Sequence, residues 1–285
     1  MEVVSEDRAT LGESPLWHGS EELFYWVDII AERLFGYDPE SDRTELRHYG
    51  LMVTALCEVE GGGLVLVTPR GLFILRDGKL HILAPLTLSA EVRTNDGKCD
   101  PRGRVWFGTM DLETTRPIGE LMVFDGRALR LVHDQVILSN GLGWSPSGDV
   151  FYHVDTGRRL IYRHDFELDT GTVSNREVLV DLSGSVAAPD GLAVDVDGNL
   201  WVAMWDGWRI DVFDGNGENI HRESLPVQRP TSVAFGGVDL SDLYVTTASE
   251  GLEKADLEEH PHAGKLLRLA PGIRGLPVGV FSMSR

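Results

Sequence analysis

The feature that most restricts what this chain can fold into is a repeat. A short apolar strand, a turn and an aromatic or β-branched strand recur from end to end. The copies are ESPLWHGSEELFYW from Glu13, TALCEVEGGGLVLV from Thr54, NDGKCDPRGRVWF from Asn95, NGLGWSPSGDVFY from Asn140, DGLAVDVDGNLWV from Asp190 and TSVAFGGVDLSDLYV from Thr231. Successive starts lie 41, 41, 45, 50 and 41 residues apart. Runs rich in Val, Phe, Tyr and Trp, each reached through a Gly, Asp or Ser turn, read as strands. No amphipathic helical stretch of convincing length interrupts them. A period of about 40 to 50 residues with several strands per unit is the mark of β-propeller blades. The expected fold is all-β, a six-bladed β-propeller, with residues 1–285 forming a single domain. The last unit is one strand short, and EVVSED near the N-terminus is expected to supply it and close the ring.

In a propeller the innermost strands surround the axis, so equivalent residues at their starts gather around one mouth. Eleven residues before Phe24, Trp106, Phe151 and Trp201 stand Glu13, Asn95, Asn140 and Asp190. Asparagine or aspartate ahead of a strand is ordinarily a turn former, because its side chain bonds the local backbone. Glutamate is a poor one, and turn chemistry alone does not explain four oxygen-bearing side chains at one repeat position. A polar site on the axis is the better reading. Glu, Asn and Asp offer oxygen only, with no His or Cys in equivalent places. That donor set suits a hard divalent cation such as calcium and argues against a structural zinc site. Three protein ligands would leave coordination positions for water and substrate.

Composition narrows the partners. The chain is 42% hydrophobic, enough for a real core, and its formal charge of −19 repels phosphate backbones and anionic membranes. Neither nucleic acid nor a membrane is expected as a partner. MEVVSEDRAT lacks the apolar centre of a secretory signal, and no apolar run approaches a membrane span. Cys57 and Cys99 sit in apolar, strand-like stretches at no metal-ligand spacing and read as buried free thiols. A soluble cytoplasmic protein is expected. DVDGN at 195–199 has its glycine too early for a calcium loop and reads as a hairpin turn, and HPH at 260–262 reads as an exposed loop. There is no G-x-S-x-G nucleophile elbow, no phosphate-binding loop after Gly61–Gly63 and no H-E-x-x-H.

Four ordered motifs add a resemblance. LGESPLW at 11–17, RTNDGKCDPRGRVWFGTM at 93–110, SNGLGWSPSGDVFYHVDT at 139–156 and PDGLAVDVDGNLWVA at 189–203 resemble the SMP-30/gluconolactonase (regucalcin-like) family over essentially the whole chain. The resemblance implies a six-bladed propeller with one divalent cation on its axis, hydrolysing sugar lactones to aldonic acids. It places the metal ligands on Glu13, Asn140 and Asp190 and the substrate contacts on Arg93 and Asn95. Glu113 is a further substrate contact by the same comparison, in a stretch, residues 111–120, where the chain departs from the family pattern. Calcium is the first choice of cation, with zinc or manganese as alternatives.

Lactone hydrolysis needs a water nucleophile, a proton acceptor and stabilisation of the developing oxyanion. Asp190 is the chosen base and Glu13 the alternative. Rival readings are a phosphotriesterase or simple-lactone hydrolase on the same scaffold, and a non-catalytic calcium-binding propeller. Arg93 and Asn95 favour a polyhydroxylated substrate, and therefore the enzyme.

Overall fold

The computed structural model describes residues 1–283 and shows a six-bladed β-propeller built from six four-stranded sheets. Strand β1 (Glu2–Val3) comes first in the chain. Blade one follows as β2 (Gly12–His18), β3 (Leu23–Asp28), β4 (Arg33–Asp38) and β5 (Arg43–His48). Blade two is β6 (Ala55–Glu58), β7 (Leu64–Thr68), β8 (Gly71–Arg76) and β9 (Lys79–Pro85). Blade three is β10 (Val92–Cys99), β11 (Val105–Asp111), β12 (Gly119–Phe124) and β13 (Leu129–Val136). Blade four is β14 (Ser139–Trp144), β15 (Val150–Asp155), β16 (Leu160–Glu167) and β17 (Thr172–Asp181). Blade five is β18 (Ala188–Val194), β19 (Leu200–Trp205), β20 (Arg209–Phe213) and β21 (Asn219–Ser224). Blade six is β22 (Pro230–Gly236), β23 (Asp242–Thr247) and β24 (Leu267–Leu269), completed by β1, which pairs antiparallel with β24. The N-terminal strand therefore completes the last blade, as expected.

Burial falls from the first strand of a blade to the fourth. Strands β14 and β18 are buried at every residue, whereas β5 (RTELRH) and β21 (NIHRES) are almost wholly exposed. First strands are packed on both faces and accept continuous apolar runs. Last strands are sheet edges, where charged side chains discourage pairing with another chain. One short helix, α1 (Lys254–Glu259), lies in the β23–β24 connection. It buries no residue, so it left no apolar period in the sequence. Among the described residues no helix is long and apolar enough to cross a membrane.

The chain divides into two compact units, residues 1–52 with 185–277 and residues 53–184 with the C-terminal segment from 278. In the first, Phe24 of blade one stacks on Tyr244 of blade six with ring centroids 4.0 Å apart, and Trp26 stacks on Phe35 at 4.8 Å. In the second, Trp106 of blade three meets Phe151 of blade four at 5.0 Å, with Trp144 and Phe166 completing the cluster. Aromatic pairs of this kind add about 0.5–1.5 kcal/mol each beyond the area they bury. Cys57 and Cys99 are free and buried in the core of the second unit, as expected. Burial, aided by a hydrogen bond with Cys57, pushes the Cys99 thiol well above its ordinary range. The 195–199 stretch is a hairpin turn: Asp195 Oδ1 accepts from the backbone N–H of Asp197 and Asn199, and Oδ2 accepts from Trp201 Nε1 at 2.9 Å.

Candidate functional site

The repeat position singled out in the sequence coincides with a break in strand pairing. On β2, Glu13 pairs with Val27 but the next pair is Leu16 with Tyr25. On β10 the pairing jumps from Thr94 to Gly97, on β14 from Asn140 to Leu142, on β18 from Pro189 to Leu192, and on β22 from Pro230 to Ser232. Five first strands thus carry one extra residue at the same place, a β-bulge that turns side chains out of the regular alternation. Strand β6 alone among the six pairs regularly throughout. Glu13, Asn95, Asn140, Asp190 and Thr231 all stand at these bulges, and all are nearly inaccessible. Ser14, directly after Glu13, has φ of 50°, a left-handed backbone uncommon for a side-chain-bearing residue.

Each unit organises its own share. In the first unit, β22 lies between β2 and β18. Thr231 Oγ1 donates to the carbonyl of Gly12 at 2.6 Å, immediately ahead of Glu13. Ser232 fills the space beside Gly191, immediately after Asp190, where an added Cβ would come within 2.0 Å of Ser232 Oγ. Glycine is required there because the two strands approach so closely.

In the second unit Asn95 Nδ2 donates to the carbonyl of Ser139 at 2.9 Å, the counterpart of the Thr231 bond to Gly12. Asn95 Oδ1 accepts from an Arg93 guanidinium nitrogen at 2.8 Å, so Arg93 and Asn95 form one assembly. Arg93 also donates to the Thr94 carbonyl. Asn140 Nδ2 donates to Thr156 Oγ1 at 3.2 Å, which leaves Asn140 Oδ1 buried with no hydrogen-bond partner. An unsatisfied buried acceptor costs about 1–3 kcal/mol, and a bound cation would account for it. Glu113 lies two residues beyond Asp111, which pairs with Val92 at the end of β10 where Arg93 stands. Glu113 is exposed in the β11–β12 connection.

Sequence reasoning missed the residues that hold these strands in place. Three blades end their second strand in an aspartate that captures an arginine a few residues on. Asp28 accepts from Arg33 at 2.6 Å and from the backbone N–H of Thr10 and Leu11, which lead into Gly12 and Glu13. Asp155 accepts from Arg158 and from the N–H of Ile137 and Leu138, which lead into Ser139 and Asn140. Asp111 accepts from Arg116 at 2.7 Å and from the N–H of Thr115 and Arg116, closing the loop that carries Glu113. Burial alone would raise the Asp28 carboxyl, yet Arg33 and the backbone donors outweigh it and hold it below the usual carboxylate range. Arg116 holds Asp111 below that range too. The signal was present in the sequence, as VDIIAER, MDLETTR and VDTGR.

A second missed group is histidine. His153 Nε2 lies 2.8 Å from Ser139 Oγ, and His133 Nε2 lies 3.3 Å from His164 Nδ1. Burial pushes His153 well below the usual histidine range and His164 down to about 3, with neighbouring histidines and Arg176 acting in the same direction. Both rings are neutral, and His153 braces Ser139.

Among the described residues no three His, Cys, Asp or Glu side chains converge to hold a metal ion. A Glu, Asn, Asp set lies outside that description, and the orphaned amide oxygen of Asn140 fits a hard cation.

Residues 11–249 match the SMP-30/Gluconolactonase/LRE-like region. The chain belongs to this family. It is 36% identical to YvrE of Bacillus subtilis, provisionally named a sugar lactone lactonase, over 93% of this chain and 92% of that protein. It is 34% identical to the pentonolactonase XacC of Haloferax volcanii, over 96% and 95% of the two chains. Its backbone superimposes with a TM-score of 0.94 on the calcium-binding protein regucalcin of Agrobacterium tumefaciens, at 27% identity and covering 98% and 96% of the chains.

Proposed function

We propose that the chain hydrolyses sugar lactones to aldonic acids, with one divalent cation, calcium first, held by Glu13, Asn140 and Asp190. Asn140 carries the reading: its Nδ2 is committed to Thr156 while its Oδ1 is buried without a partner. The cation, when bound, supplies Lewis-acid polarisation of the lactone carbonyl. Asp190 accepts the proton of the attacking water as its oxygen bonds to the carbonyl carbon. The ring C–O bond then breaks, and the proton passes to the departing ring oxygen. Glu13 is the alternative acceptor. Arg93, steadied by Asn95 Oδ1, donates hydrogen bonds to ring hydroxyls and orients the lactone for attack. Glu113 reaches a more distant hydroxyl. The lactonase names of YvrE and XacC support the reaction class, and the calcium-binding name of the Agrobacterium protein supports the cation.

The test is acid release from gluconolactone, xylonolactone, arabinolactone and galactonolactone, with and without exhaustive chelation. Turnover that chelation abolishes and added cation restores is expected. Full activity in a preparation shown metal-free by elemental analysis would remove the cation from the mechanism.

A further inference from the structure

The β19–β20 connection of blade five contains a side chain that its backbone does not favour. Asp206 and Trp208 both adopt left-handed backbone, with φ of 57° and 58°. For a residue as bulky as tryptophan that conformation is an outlier, and glycine would adopt it without strain. The surroundings enforce it. Trp208 N–H donates to the Gln228 carbonyl at 3.2 Å, and the Trp208 carbonyl accepts from Leu225 N–H at 2.8 Å. Asp206 Oδ1 accepts from Gln228 Nε2 at 2.9 Å and from Arg229 Nε at 2.8 Å. The backbone geometry is therefore set by polar bonds that any residue at 208 could make.

The indole is only partly covered by the fold. It is 38% exposed and meets His260 edge-on, ring centroids 5.0 Å apart. The neighbouring Trp205 is already covered by the Arg229 guanidinium at 4.8 Å. Strained backbone that carries an exposed aromatic side chain suggests a binding role.

Register locates the turn. Ala188 pairs with Trp205 and Pro189 with Met204, so residues 206–208 lie at the end of the blade-five sheet where Asp190 stands. Pro230 pairs with Thr247, which brings the β23–β24 connection, with α1 and His260, to the same end of blade six. In blade three the corresponding connection carries Glu113.

We propose that Trp208 is a specificity-determining residue whose indole forms an aromatic wall beside Asp190, with His260 bracing its edge, against which the C–H face of a sugar lactone packs. This rests on the lactonase reading above. Ring carbons bearing hydroxyls carry partly positive hydrogens, and the negative face of an indole attracts them. Trp208 recognises the carbon face.

Three variants test it: Trp208→Gly, Trp208→Phe and Trp208→Leu. Glycine accepts the left-handed backbone, so the strain released in Trp208→Gly offsets part of the packing lost with the indole, and a denaturant midpoint measured alongside confirms that the variant is folded. Its KM for sugar lactones should rise roughly five- to tenfold, the size of one aromatic contact, while kcat changes less than about threefold. Trp208→Phe should recover most of the lost affinity and Trp208→Leu should not, because only an aromatic face restores the contact. Titration with a non-hydrolysable sugar lactam should quench tryptophan fluorescence in the parent and much less in Trp208→Phe. Parent turnover of sugar lactones with unchanged KM in Trp208→Gly and Trp208→Leu would overturn the proposal and leave the lactonase reading intact. A parent that hydrolyses none of the sugar lactones would overturn both.

Discussion

Thr231 on β22 and Asp190 on β18 start the bulges of neighbouring first strands in the same compact unit, and their accessibilities are 0% and 4%. Thr231 spends its hydroxyl on the fold, donating to the Gly12 carbonyl and sharing a hydrogen bond with Thr246 Oγ1 at 2.8 Å. The stitch to the next blade ends on a carbonyl oxygen, so it needs a donor. A carboxylate serving as a cation ligand has no proton to donate, so in that role Asp190 and Glu13 do not make it. Asn95 stands between the two cases: its amide nitrogen makes the stitch and its amide oxygen holds Arg93. The same backbone position is therefore a structural fastener when its side chain donates and a candidate ligand position when it only accepts.

The largest expected effect comes from changing Asp190 within this contrast. Asp190→Asn keeps an oxygen but loses the charge and the proton acceptor, so kcat should fall about 10²–10⁴-fold. Cation content, followed by elemental analysis, should fall with it. Asp190→Thr imports the fastener chemistry of Thr231 and should lose activity at least as severely while unfolding at a similar denaturant midpoint. Near-parental turnover in Asp190→Asn with cation retained would transfer the role of base to Glu13.

The reverse exchange is Thr231→Val, which removes two hydroxyl bonds from a site with no access to water. Unfolding free energy should drop by about 1–3 kcal/mol. The value of kcat/KM, measured far below Tm, should stay within roughly threefold of the parent. Activity lost with stability intact would place Thr231 in the site and dissolve the comparison.

Much of this was legible in the sequence, for a physical reason. Each of the four oxygen-bearing positions stands eleven residues before a core aromatic because the bulge and hairpin have the same total length in blades one, three, four and five. Blade six has a longer hairpin, with Gly237 and Leu240 both at positive φ, so Thr231 fell out of that count. The bulges themselves left no trace, because an extra residue in a buried strand reads as one more apolar or small residue. The stitching role of Asn95 was hidden too: its partner is a backbone carbonyl 44 residues away. Trp208 was invisible because nothing in DGW announces a left-handed tryptophan.

A smaller effect comes from the buried histidines of blade four. His153 and His164 are held neutral by burial, so their folded-state values lie below the unfolded one. Such groups contribute fully above about pH 6.5, and the contribution is lost as pH falls, because only the unfolded chain takes up the protons. Each pH unit below 6.5 should cost about 1.4 kcal/mol per histidine that stays neutral, continuing for His164 toward its folded value of about 3. His164→Phe should flatten this slope in urea denaturation between pH 6.5 and 4.5. An unchanged slope would mean that His164 takes up its proton alike in the folded and unfolded chain; the carboxyls held low, Asp28 and Asp111, lose their contribution only below about pH 4.

The smallest effect is expected at Glu113, and it sets the outer limit of the comparison. Glu113 lies on no first strand and at no bulge. It sits in a loop that Asp111 and Arg116 pin from below, with Arg116 also bridging to Glu91 at 2.9 Å. Thr114 beside it has φ of 53°, so the loop is held in one shape while the Glu113 side chain stays exposed. An exposed charged contact is worth about 0–1 kcal/mol. Glu113→Gln should therefore raise KM for sugar lactones by no more than about fivefold and leave kcat and cation content unchanged. Arg116→Gln, which loosens the loop without touching Glu113, should give a similar KM if the loop shape is what positions the carboxylate. A hundredfold loss of kcat in Glu113→Gln would show that the chemistry extends beyond the bulged positions, and that sorting them into donors and acceptors does not define the site.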